Sequence, residues 1–493
     1  MSTIPVLING YPVDSGDYIG VFFDSLGTLA CGGYAKWENK TTAISAWGED
    51  AGNDGFQSGE KFIWKIWRKS ENLEYFAFAK YNGEDFINLG NYAVNGLSGL
   101  ESLIAYNHQE IEMINGWSYF STYIDPVYPA TDSIFADIEN CINIIKDEEG
   151  GIYFPGVTDQ LHALIPGKGY QANMKKDTVL TVTGNDIQPL LTPLTFSEQV
   201  MITGYLRKET ASLESLFHDI NNNLLYIKDA AGNLYIPEYN INTLANFAPG
   251  KGYKIKLYDT ITYLYPDNNT LLPVSDTAQL LLPERFSHSR NTGNNMILII
   301  PASAWNEEPE YGDEIAAFAE NALYSGSAVY IGSNIAMVIW GKDAFTEKWD
   351  GMLPGEKFTL LYWHKFSNKI DSVEITRWER GDDLYRIDSI NIIDSLRVKE
   401  IVNTSDFNYQ LAMNPSDNFI SFSFFIPVKS FIELTGFTAD AKLLGNFLSQ
   451  EFQPGSYSFS FEINNPGSAV YFFRMRKDDQ IVIKKMVYIR TAN

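Results

Sequence analysis

Alternation of apolar and polar residues recurs along this chain of 493 residues. The stretch SYSFSFEI, residues 456–463, places Tyr457, Phe459 and Phe461 on one side and serines on the other. In KFIWKIW, residues 61–67, successive side chains also divide between two faces. A period of two residues is that of a β-strand, because neighbouring side chains point to opposite faces of a sheet. The pattern predicts a chain built mainly of short strands.

One internal repeat lies in the middle of the chain. Residues 133–155 (SIFADIENCINIIKDEEGGIYFP) align without a gap with residues 215–237 (SLFHDINNNLLYIKDAAGNLYIP). The pentapeptide PGKGY follows in both copies, at residues 166–170 and 249–253. A phosphate-binding loop needs Ser or Thr directly after its lysine, and here glycine and tyrosine follow. PGKGY therefore indicates a repeat with a turn into a final strand and not a nucleotide site.

Each copy of this repeat combines strands with a short helix. We expect a strand at residues 117–123, followed by a helix with Thr131 or Asp132 as its N-cap. The stretch INIIKDEEGGIYF, residues 142–154, predicts a hairpin. Asp and Gly at the first and fourth positions of residues 147–150 suit a type I turn. The repeat is therefore predicted to be a small α+β unit.

A second duplication brackets the first. Three pairs of segments match: residues 16–24 (GDYIGVFFD) with 312–320 (GDEIAAFAE), 43–50 (AISAWGED) with 336–343 (AMVIWGKD), and 54–67 (DGFQSGEKFIWKIW) with 350–363 (DGMLPGEKFTLLYW). Their strand-like alternation and Gly/Asp turns predict two all-β sandwiches.

The order of the repeats predicts five domains, since a chain of this length exceeds a single core. The fold class is mainly β and multi-domain: two β-sandwich outer modules enclose two small α+β repeats, and a C-terminal Ig-like β-sandwich follows. The boundaries are residues 1–110 for outer module 1, 111–192 for repeat 1, 193–275 for repeat 2, 276–402 for outer module 2 and 403–493 for the C-terminal domain.

The charge excludes a nucleic-acid partner. The net charge is −24, and no basic surface on such a chain competes with phosphate repulsion. From Asn403 onward, eight Lys and Arg residues balance eight Asp and Glu residues, so the acidic excess lies in the first 402 residues. The last domain is chemically distinct from the body.

Cysteine content and hydropathy narrow the location of the protein. Cys31 and Cys141 fall in different modules, which excludes a disulfide framework, and buried free thiols are expected. No apolar run is long enough to form a transmembrane segment. The start, MSTIPVLING, lacks the basic residues and apolar core of a signal peptide. We expect a cytoplasmic protein or an exported one whose signal peptide is not part of this chain.

The last 80 or so residues carry a set of short motifs at characteristic places. They are Asn414-Pro415, Ile420-Ser421-Phe422, Leu444-Gly445, Pro454-Gly455-Ser456-Tyr457, Val470-Tyr471 with Arg474, and Lys484-Lys485-Met486-Val487. This stretch resembles the type A C-terminal sorting domain of the type IX secretion system of Bacteroidota. Ser468-Ala469 replaces the usual glycine before the valine-tyrosine pair, and an unrelated Ig-like module is the alternative.

The resemblance implies export behind a cleavable signal peptide, then passage across the outer membrane, often with attachment to the cell surface. The type IX machinery would be the partner of the C-terminal domain. The residues that match the sorting signal are Asn414, Pro415, Gly455, Tyr457, Tyr471, Lys484 and Lys485. The outer modules also resemble modules without known activity that recur in secreted proteins of the same bacteria.

Catalytic chemistry finds little support in the sequence. The five histidines are isolated, without His-Glu-x-x-His or a His–Cys cluster. Residues 23–27 (FDSLG) resemble the nucleophile motif of GDSL hydrolases at Ser25, with Asp159 and His162 as a D-x-x-H pair. However, the glycine before Asp24 is missing and the pair lies in another module. We predict no catalytic residues and no enzyme activity.

Repeated acidic residues of the outer modules suggest one metal. Clustered carboxylates suit calcium, which takes six to eight oxygen ligands in irregular loops. The alternative is that these aspartates cap turns. The candidate ligands are Asp17, Asp50 and Asp54 in one copy and Asp313, Asp343 and Asp350 in the other. No other cofactor is expected.

An Asp-Ser/Thr-apolar motif is over-represented and resembles the O-glycosylation acceptor of exported Bacteroidota proteins. Turn chemistry at strand ends is the alternative, since Asp and Ser are common there. The acceptor positions are Ser25, Ser133, Thr178, Thr260, Thr277, Ser372, Ser389 and Ser395.

Tryptophans supply a further candidate chemistry. Trp37, Trp64 and Trp349 are placed to stack on sugar rings. Core packing is expected for the tryptophans that keep their places in the outer repeat, namely Trp47, Trp67, Trp340 and Trp363.

Together these features favour a secreted, surface-associated, multi-module protein that binds, adheres or builds structure. A duplicated pair of modules suits avidity, whereas catalysis seldom needs two degraded copies of one site. A glycan or a surface protein is the expected ligand. The alternative is that these are accessory and sorting modules of a secreted hydrolase whose catalytic domain is absent from this chain.

Overall fold

The computed structural model describes residues 4–25, 28–50, 54–266, 281–286, 291–319, 323–346, 349–399, 409–414, 419–426, 429–452, 455–462, 469–478 and 480–488. Strands predominate within these ranges, and the two α-helices are one turn each. The mainly β, multi-domain fold class is therefore confirmed.

Outer module 1 contains one seven-stranded sheet. Its strands are β1 (Val6–Ile8), β2 (Tyr11–Pro12), β3 (Tyr18–Ser25), β4 (Thr28–Lys36), β5 (Ile63–Arg68), β6 (Leu73–Tyr81) and β7 (Leu100–Ala105), in the spatial order β2-β1-β7-β6-β5-β3-β4. Only the β1–β7 pair is parallel among these neighbours. Ile19, Val21 and Ile66 point to the core from alternate positions, as the period of two requires.

Repeat 1 packs two small sheets against α1 (Thr131–Ile134). Its strands are β8 (Asn107–Met113), β9 (Gly116–Phe120), β10 (Ile124–Pro126), β11 (Ile142–Lys146), β12 (Ile152–Phe154), β13 (Thr158–Asp159), β14 (Tyr170–Met174) and β15 (Thr178–Asp186), with a 3-10 turn at Glu139–Cys141. The sheet orders are β13-β12-β11-β14-β9 and β10-β15-β8. The predicted hairpin is confirmed as β11 and β12.

The expected N-cap of α1 is wrong. The helix begins after Ala130, without a side-chain cap. The Thr131 hydroxyl donates to the Asp159 carboxylate instead, because the fold of the repeat brings β13 next to the start of the helix.

Repeat 2 has the same core arrangement. Its elements are β16 (Leu194–Phe196), β17 (Met201–Gly204), β18 (Ala211–Ser212), α2 (Leu213–Leu216), β19 (Leu224–Lys228), β20 (Leu234–Ile236), β21 (Ile241–Asn242), β22 (Asn246–Phe247), β23 (Gly252–Leu257) and β24 (Ile261–Tyr263), with 3-10 turns at His218–Asn223 and Pro237–Tyr239. A further 3-10 turn, Pro189–Leu191, precedes the repeat. Its five-stranded sheet, β17-β23-β19-β20-β21, matches β9-β14-β11-β12-β13 of repeat 1 strand for strand.

The PGKGY segments join the two repeats across a pseudo-two-fold axis. Lys168 forms an antiparallel bridge with Thr203, and Lys251 forms the same bridge with Phe120. Adding 83 to the residue numbers of Phe120 and Lys168 gives those of Thr203 and Lys251, so the two bridges exchange equivalent residues between the repeats. The lysine of each repeat therefore pairs, through its backbone, with the opening strand of the other repeat.

The second glycine and the tyrosine of the motif also have structural roles. A Cβ on Gly169 would lie 2.7 Å from the Thr203 carbonyl oxygen, so only glycine permits the approach. The hydroxyl of Tyr170 accepts a hydrogen bond from the Ile165 backbone N–H at 2.9 Å. Tyr253 repeats this contact in the second copy. The motif also leads into β14 and β23, as the predicted turn into a strand requires.

Outer module 2 also contains one seven-stranded sheet. Its strands are β25 (Asn295–Ile300), β26 (Glu314–Ala319), β27 (Tyr324–Val329), β28 (Ile335–Trp340), β29 (Phe358–His364), β30 (Lys369–Arg380) and β31 (Ile390–Lys399), with a 3-10 turn at Ala302–Ala304. The order is β27-β26-β29-β30-β31-β25-β28. A Cβ on Gly326 of β27 would lie 2.1 Å from the Val338 carbonyl oxygen of β28, so the two edge strands close around one core.

The Trp-Gly and Asp-Gly dipeptides of the outer modules form a glycine contact. A Cβ on Gly55 would lie 2.6 Å from the Gly48 carbonyl oxygen, and a Cβ on Gly351 would lie 2.0 Å from that of Gly341. Parallel bridges adjoin both contacts. The duplicated glycines are therefore needed for backbone packing, because no side chain fits between the two chains there.

The C-terminal domain packs two sheets face to face. Its strands are β32 (Tyr409–Asn414), β33 (Phe419–Ile426), β34 (Ser430–Thr438), β35 (Leu443–Phe452), β36 (Gly455–Glu462), β37 (Ala469–Lys477) and β38 (Gln480–Tyr488), in the orders β32-β33-β36 and β35-β34-β37-β38. The predicted strand at residues 456–463 is confirmed as β36. Phe422, Leu434 and Phe473 lie at the centre of a core drawn from this domain among the described residues.

Candidate functional site: the outer face of outer module 1

The two outer modules differ in what covers their sheets. In outer module 2, Ile297 and Ile392 pack from the outer face against Tyr226 and Ile236 of repeat 2. These side chains form a buried, apolar part of the interface between repeat 2 and outer module 2. Burial of such side chains contributes on the order of 1.5–3 kcal/mol each.

A second cover lies on the β26–β29 part of the same face. The buried carboxylate of Glu314 accepts hydrogen bonds from the backbone N–H groups of Arg285 at 3.0 Å and Phe286 at 2.9 Å. Phe286 then packs on Phe318 and Tyr324. The preceding chain segment is thereby fixed on the sheet of outer module 2.

The corresponding face of outer module 1 is open and aromatic. Tyr34 on β4 is 69% exposed, Phe76 on β6 is 50% exposed and Phe78 is 47% exposed. The strand pairing shows which residues of the two modules correspond. Ser327, Ser372 and Glu374 of outer module 2 occupy the positions of Tyr34, Phe76 and Phe78 in outer module 1, respectively. Large rings therefore stand in solvent where the duplicate carries small or charged side chains.

A lysine joins part of this surface. The Nζ of Lys65 lies 4.9 Å from the ring centroids of both Phe22 and Phe76, and 2.9 Å from the carboxylate of Glu74. Each exposed cation–π contact contributes about 0.5–1 kcal/mol. The ion pair and the two cation–π contacts fix Lys65 between these rings. We call Tyr34, Lys65, Phe76 and Phe78 the aromatic face.

The expectation that Trp47 packs in a core is wrong. It is 71% exposed, whereas Trp340, its counterpart, is 3% exposed. A Cβ on Gly232 of repeat 2 would lie 3.3 Å from the Trp340 ring, so repeat 2 covers this tryptophan. Sequence alone treats the two as equivalent, because the difference comes from a neighbouring domain. Trp363 is buried and Trp67 partly buried, as expected.

The tryptophans proposed to stack on sugars divide among three environments. Trp37 is buried in the core of outer module 1, which contradicts its expected role. Trp64 is partly buried and donates to the Tyr81 hydroxyl at 2.8 Å. Trp349 is 45% exposed and keeps the access that stacking needs.

The aromatic face could have been suspected from the duplication. Phe76 and Phe78 alternate along β6, while the matching residues of β30 are polar. An aromatic residue that replaces a polar one in only one copy is a signal of exposure. Reading it requires the strand register, which the sequence does not supply.

The junction between the repeats and outer module 2 holds a buried ion cluster. The Nζ of Lys228 lies 2.9 Å from Asp388 and 2.6 Å from the Asn295 amide oxygen, and Lys254 lies 2.7 Å from Asp388. Burial lowers the pKa of Lys228 to about 8, although Asp388 opposes this. Burial alone would raise the pKa of Asp388, but the two lysine charges lower it to about 2. The carboxylate stays ionised between its two partners.

A groove of about 710 Å³, lined by both polar and apolar groups, lies beside this junction. Repeat 1 supplies Asn143 and Asn173, and the loop after β28 supplies Asp343 and Phe345. The indole Nε1 of Trp117 donates to Asp343 at 3.0 Å, which connects the two domains at the base of the groove. The hairpin turn of repeat 2 completes the wall.

The candidate calcium ligands of outer module 1 lie at opposite ends of β3. Asp17, before the strand, accepts hydrogen bonds from the backbone N–H groups of Asp14 and Lys69. Asp54 accepts from the Ser25 hydroxyl at the other end. Asp50 lies between β4 and β5 and takes part in an isolated β-bridge.

The candidates of outer module 2 show the same division. Asp313 accepts from the Lys365 backbone N–H at 2.9 Å and from the Tyr362 hydroxyl. Asp350 accepts from the backbone N–H of Asp343 at 3.0 Å, so these two meet. In the described ranges no three His, Cys, Asp or Glu side chains form a group that could hold a metal ion. Calcium binding stays a prediction.

The residues that resemble a hydrolase site are not brought together. Ser25 bonds to Asp54 in outer module 1, while Asp159 accepts from the His162 backbone N–H in repeat 1. The expected thiol burial holds for Cys141 only, since Cys31 is exposed.

The glycosylation candidates differ in how free their hydroxyls are. Ser133 and Thr260 are exposed, and Thr178 is partly buried. The hydroxyls of Ser25, Ser372, Ser389 and Ser395 are hydrogen-bonded within the chain. Thr277 lies outside the described residues. Glycosylation stays a prediction at all eight.

The sorting-signal candidates lie on strands of the C-terminal domain. Asn414 ends β32, Gly455 and Tyr457 belong to β36, and the buried Tyr471 lies on β37. Lys484 and Lys485 lie on β38, which pairs with β37. Pro415 lies outside the described residues.

No protein-family model matches the chain, and no curated protein matches it. The similarity of this chain to solved structures is low. The chain is similar to a biofilm-associated protein BSP domain, with 11% identity, 97% of this chain and 91% of that chain covered, and a TM-score of 0.17.

A tetra-tandem repeat from the extending region of a large adhesion protein has 8% identity, covers 97% of this chain and 93% of its own, and gives a TM-score of 0.16. Dimeric latent PorU from Porphyromonas gingivalis has 9% identity, 65% and 36% coverage, and a TM-score of 0.17. Scores this low assign no function. Within the described ranges no helix is long and apolar enough to cross a membrane.

Proposed function

We propose that this chain is a non-enzymatic, secreted, cell-surface-associated protein that binds, adheres or builds structure. The observation that carries the proposal is the aromatic face of outer module 1. Tyr34, Phe76 and Phe78 stand in solvent where the duplicated module has Ser327, Ser372 and Glu374. Exposed aromatic residues clustered on one sheet face mark interaction surfaces, because leaving them in water is unfavourable.

The C-terminal domain supports export through the type IX secretion system. Its sandwich is built around its own core, and its strand pair β37–β38 carries Arg474, Arg476, Lys484 and Lys485. A basic hairpin on a chain with a net charge of −24 suits an acidic receptor surface, where charge complementarity speeds encounter. The expected location is the cell surface, attached to the outer membrane.

The test replaces the exposed aromatic residues of outer module 1 with the residues found at the equivalent positions of outer module 2. The triple variant Tyr34→Ser, Phe76→Ser and Phe78→Glu gives outer module 1 the side chains that outer module 2 carries on the same strands. A matched control changes two exposed aromatics elsewhere, Tyr311→Ser and Phe366→Ser. Binding of purified protein is measured on protein and glycan arrays and on intact cells.

We expect the triple variant to lose at least about tenfold in affinity for whatever the wild type binds, because hot spots centre on aromatic residues. The control variant should keep the wild-type affinity. Unchanged binding of the triple variant to every wild-type partner would mean that the aromatic face is not the binding surface.

A further inference from the structure

The groove between repeat 1, the hairpin turn of repeat 2 and the loop after β28 combines amide side chains with apolar surface, as ligand sites do. Its side chains include four asparagines, and Phe345 is 42% exposed at its wall. The asparagines are Asn115, Asn143, Asn173 and Asn291. Its volume of about 710 Å³ falls in the usual range for small-molecule sites.

Buried side chains that are hydrogen-bonded to the chain form part of the lining of the groove. Asn173 and Trp117 are each 4% exposed, and Asp343 is 7% exposed. Asn143 Nδ2 donates to Asn173 Oδ1 at 2.6 Å. The Asn291 side chain donates to the Trp117 carbonyl oxygen at 2.8 Å. These bonds orient the lining before any ligand arrives, which lowers the entropic cost of binding.

The charges in and next to the groove balance. Asp343, Asp350 and Lys175 line it. Lys146 stacks on Trp117 with its Nζ 4.4 Å from the ring centroid. The lining therefore holds two carboxylates and one ammonium group, and a second ammonium group, that of Lys146, lies beside Trp117 next to the groove. Both carboxylates are already bound to donors of the chain, Asp343 to Trp117 and Asp350 to the Asp343 backbone N–H. A charged ligand would add a net charge to a site whose own charges already balance.

The asparagine amides of the groove have the hydrogen-bonding capacity to bind hydroxyl groups of a ligand. An amide side chain offers both donors and acceptors, and each hydroxyl of a sugar also donates and accepts. The exposed ring of Phe345 lies 5.7 Å from the Trp117 ring and provides an apolar wall for the C–H face of a ring. Amides, balanced charges and one exposed ring together favour an uncharged, polyhydroxylated ligand.

We infer that this groove binds a neutral oligosaccharide. The inference deepens the proposed binding function by naming a ligand class, and it places that ligand away from the aromatic face. Three domains contribute to the site, so it exists only when repeat 1, repeat 2 and outer module 2 are assembled.

The experiment uses the full chain and a panel of neutral oligosaccharides, namely gluco-, manno-, xylo- and galacto-oligosaccharides, with oligogalacturonate as an acidic comparison. Affinity is measured by titration calorimetry. Ala231→Arg places a long side chain at the groove from an exposed turn position, so folding does not depend on the residue replaced. Phe345→Ala removes the ring, and Phe366→Ala, at an exposed phenylalanine of a distant turn, is the control.

At least one neutral oligosaccharide should bind. Ala231→Arg and Phe345→Ala should each weaken it by at least about tenfold, and Phe366→Ala should leave it unchanged. The inference is wrong if none of the neutral sugars binds, if only the acidic one binds, or if Ala231→Arg has no effect. The aromatic-face triple variant should keep the sugar affinity, so that failure here is distinguishable from failure of the proposed adhesive role.

Discussion

The Nζ of Lys228 lies 2.9 Å from Oδ1 of Asp388, and this buried contact joins repeat 2 to outer module 2. Lys254 binds the same carboxylate, so two lysines depend on one aspartate. The counterpart of Asp388 in outer module 1 is Asn95, which has the same left-handed backbone with φ of 56° against 57°. The duplicated position has therefore become a charged inter-domain contact in one copy only.

Replacing Asp388 should be costly. Asp388→Asn keeps a residue that tolerates the left-handed φ but removes the charge, which leaves two buried ammonium groups uncompensated. Breaking a buried pair in this way costs about 3–5 kcal/mol. Chemical unfolding followed by tryptophan fluorescence measures the loss. The control is Asn95→Asp on the exposed counterpart, which should change stability by less than about 0.5 kcal/mol.

Acid should remove the same contribution. The pKa of Asp388 falls from 3.8 to about 2 in the folded protein, so its stabilising effect is complete above pH 4 and is lost as pH falls towards 2. The shift corresponds to about 2 kcal/mol. Unfolding free energies of wild type and Asp388→Asn should therefore converge between pH 4 and pH 2. A constant difference across that window would contradict the assignment.

The glycines of PGKGY should tolerate no side chain. A Cβ at Gly169 would meet the Thr203 carbonyl at 2.7 Å, and one at Gly252 would meet the Phe120 carbonyl at 2.9 Å. Gly169→Ala and Gly252→Ala should each destabilise the chain by about 1–3 kcal/mol, because the repeats must move apart. Gly83→Ala is the control, since its nearest neighbour lies at 3.7 Å. Equal midpoints of all three variants in urea would refute the contact.

The two equivalent tryptophans should behave differently. Trp340→Ala should cost about 3–5 kcal/mol, because the indole is buried beneath repeat 2. Trp47→Ala should change stability by less than about 0.5 kcal/mol, because its indole is in solvent. Differential scanning calorimetry checks both, and acrylamide quenching of Trp47 provides an independent measure of exposure. A similar loss for the two variants would place Trp47 in a core.

Calcium offers a direct test of the acidic clusters. If the outer modules bind the ion, melting in calcium and in chelator should differ by several degrees, because a ligand of the native state raises stability. Asp343→Asn and Asp350→Asn would then abolish the difference for outer module 2, since these two residues meet in one loop. Superimposable melts of the wild type would end the calcium hypothesis.

The sequence predicted local structure well where pattern and turn chemistry act within one segment. The alternation of residues 456–463 marks β36, and Asp147 with Gly150 marks the hairpin turn of repeat 1. These features depend on neighbours in the chain. The N-cap of α1 was missed because the Thr131 hydroxyl binds Asp159, a partner 28 residues away.

The surfaces could not be predicted in the same way. Trp47 and Trp340 have matching surroundings in sequence, yet only Trp340 lies beneath another domain. The groove likewise assembles residues of repeat 1 with Asp343, which is 226 residues from Trp117. Exposure of a repeated residue depends on domain packing, and the spacing of motifs carries no information about that packing.

Export through the C-terminal domain is the claim on which the proposed surface location depends most directly. The measurement compares the full chain with a chain that ends after Asn403, both behind the same cleavable signal peptide in a type IX-secreting host. A reporter fused to residues 403–493 is the third arm. Protein is quantified in periplasm, on the cell surface and in the medium, and protease resistance shows whether the truncated body is folded. We predict that the truncated chain is folded but retained in the periplasm, while the fused reporter reaches the surface or medium. Normal release of the truncated chain would contradict both the sorting role and the surface location.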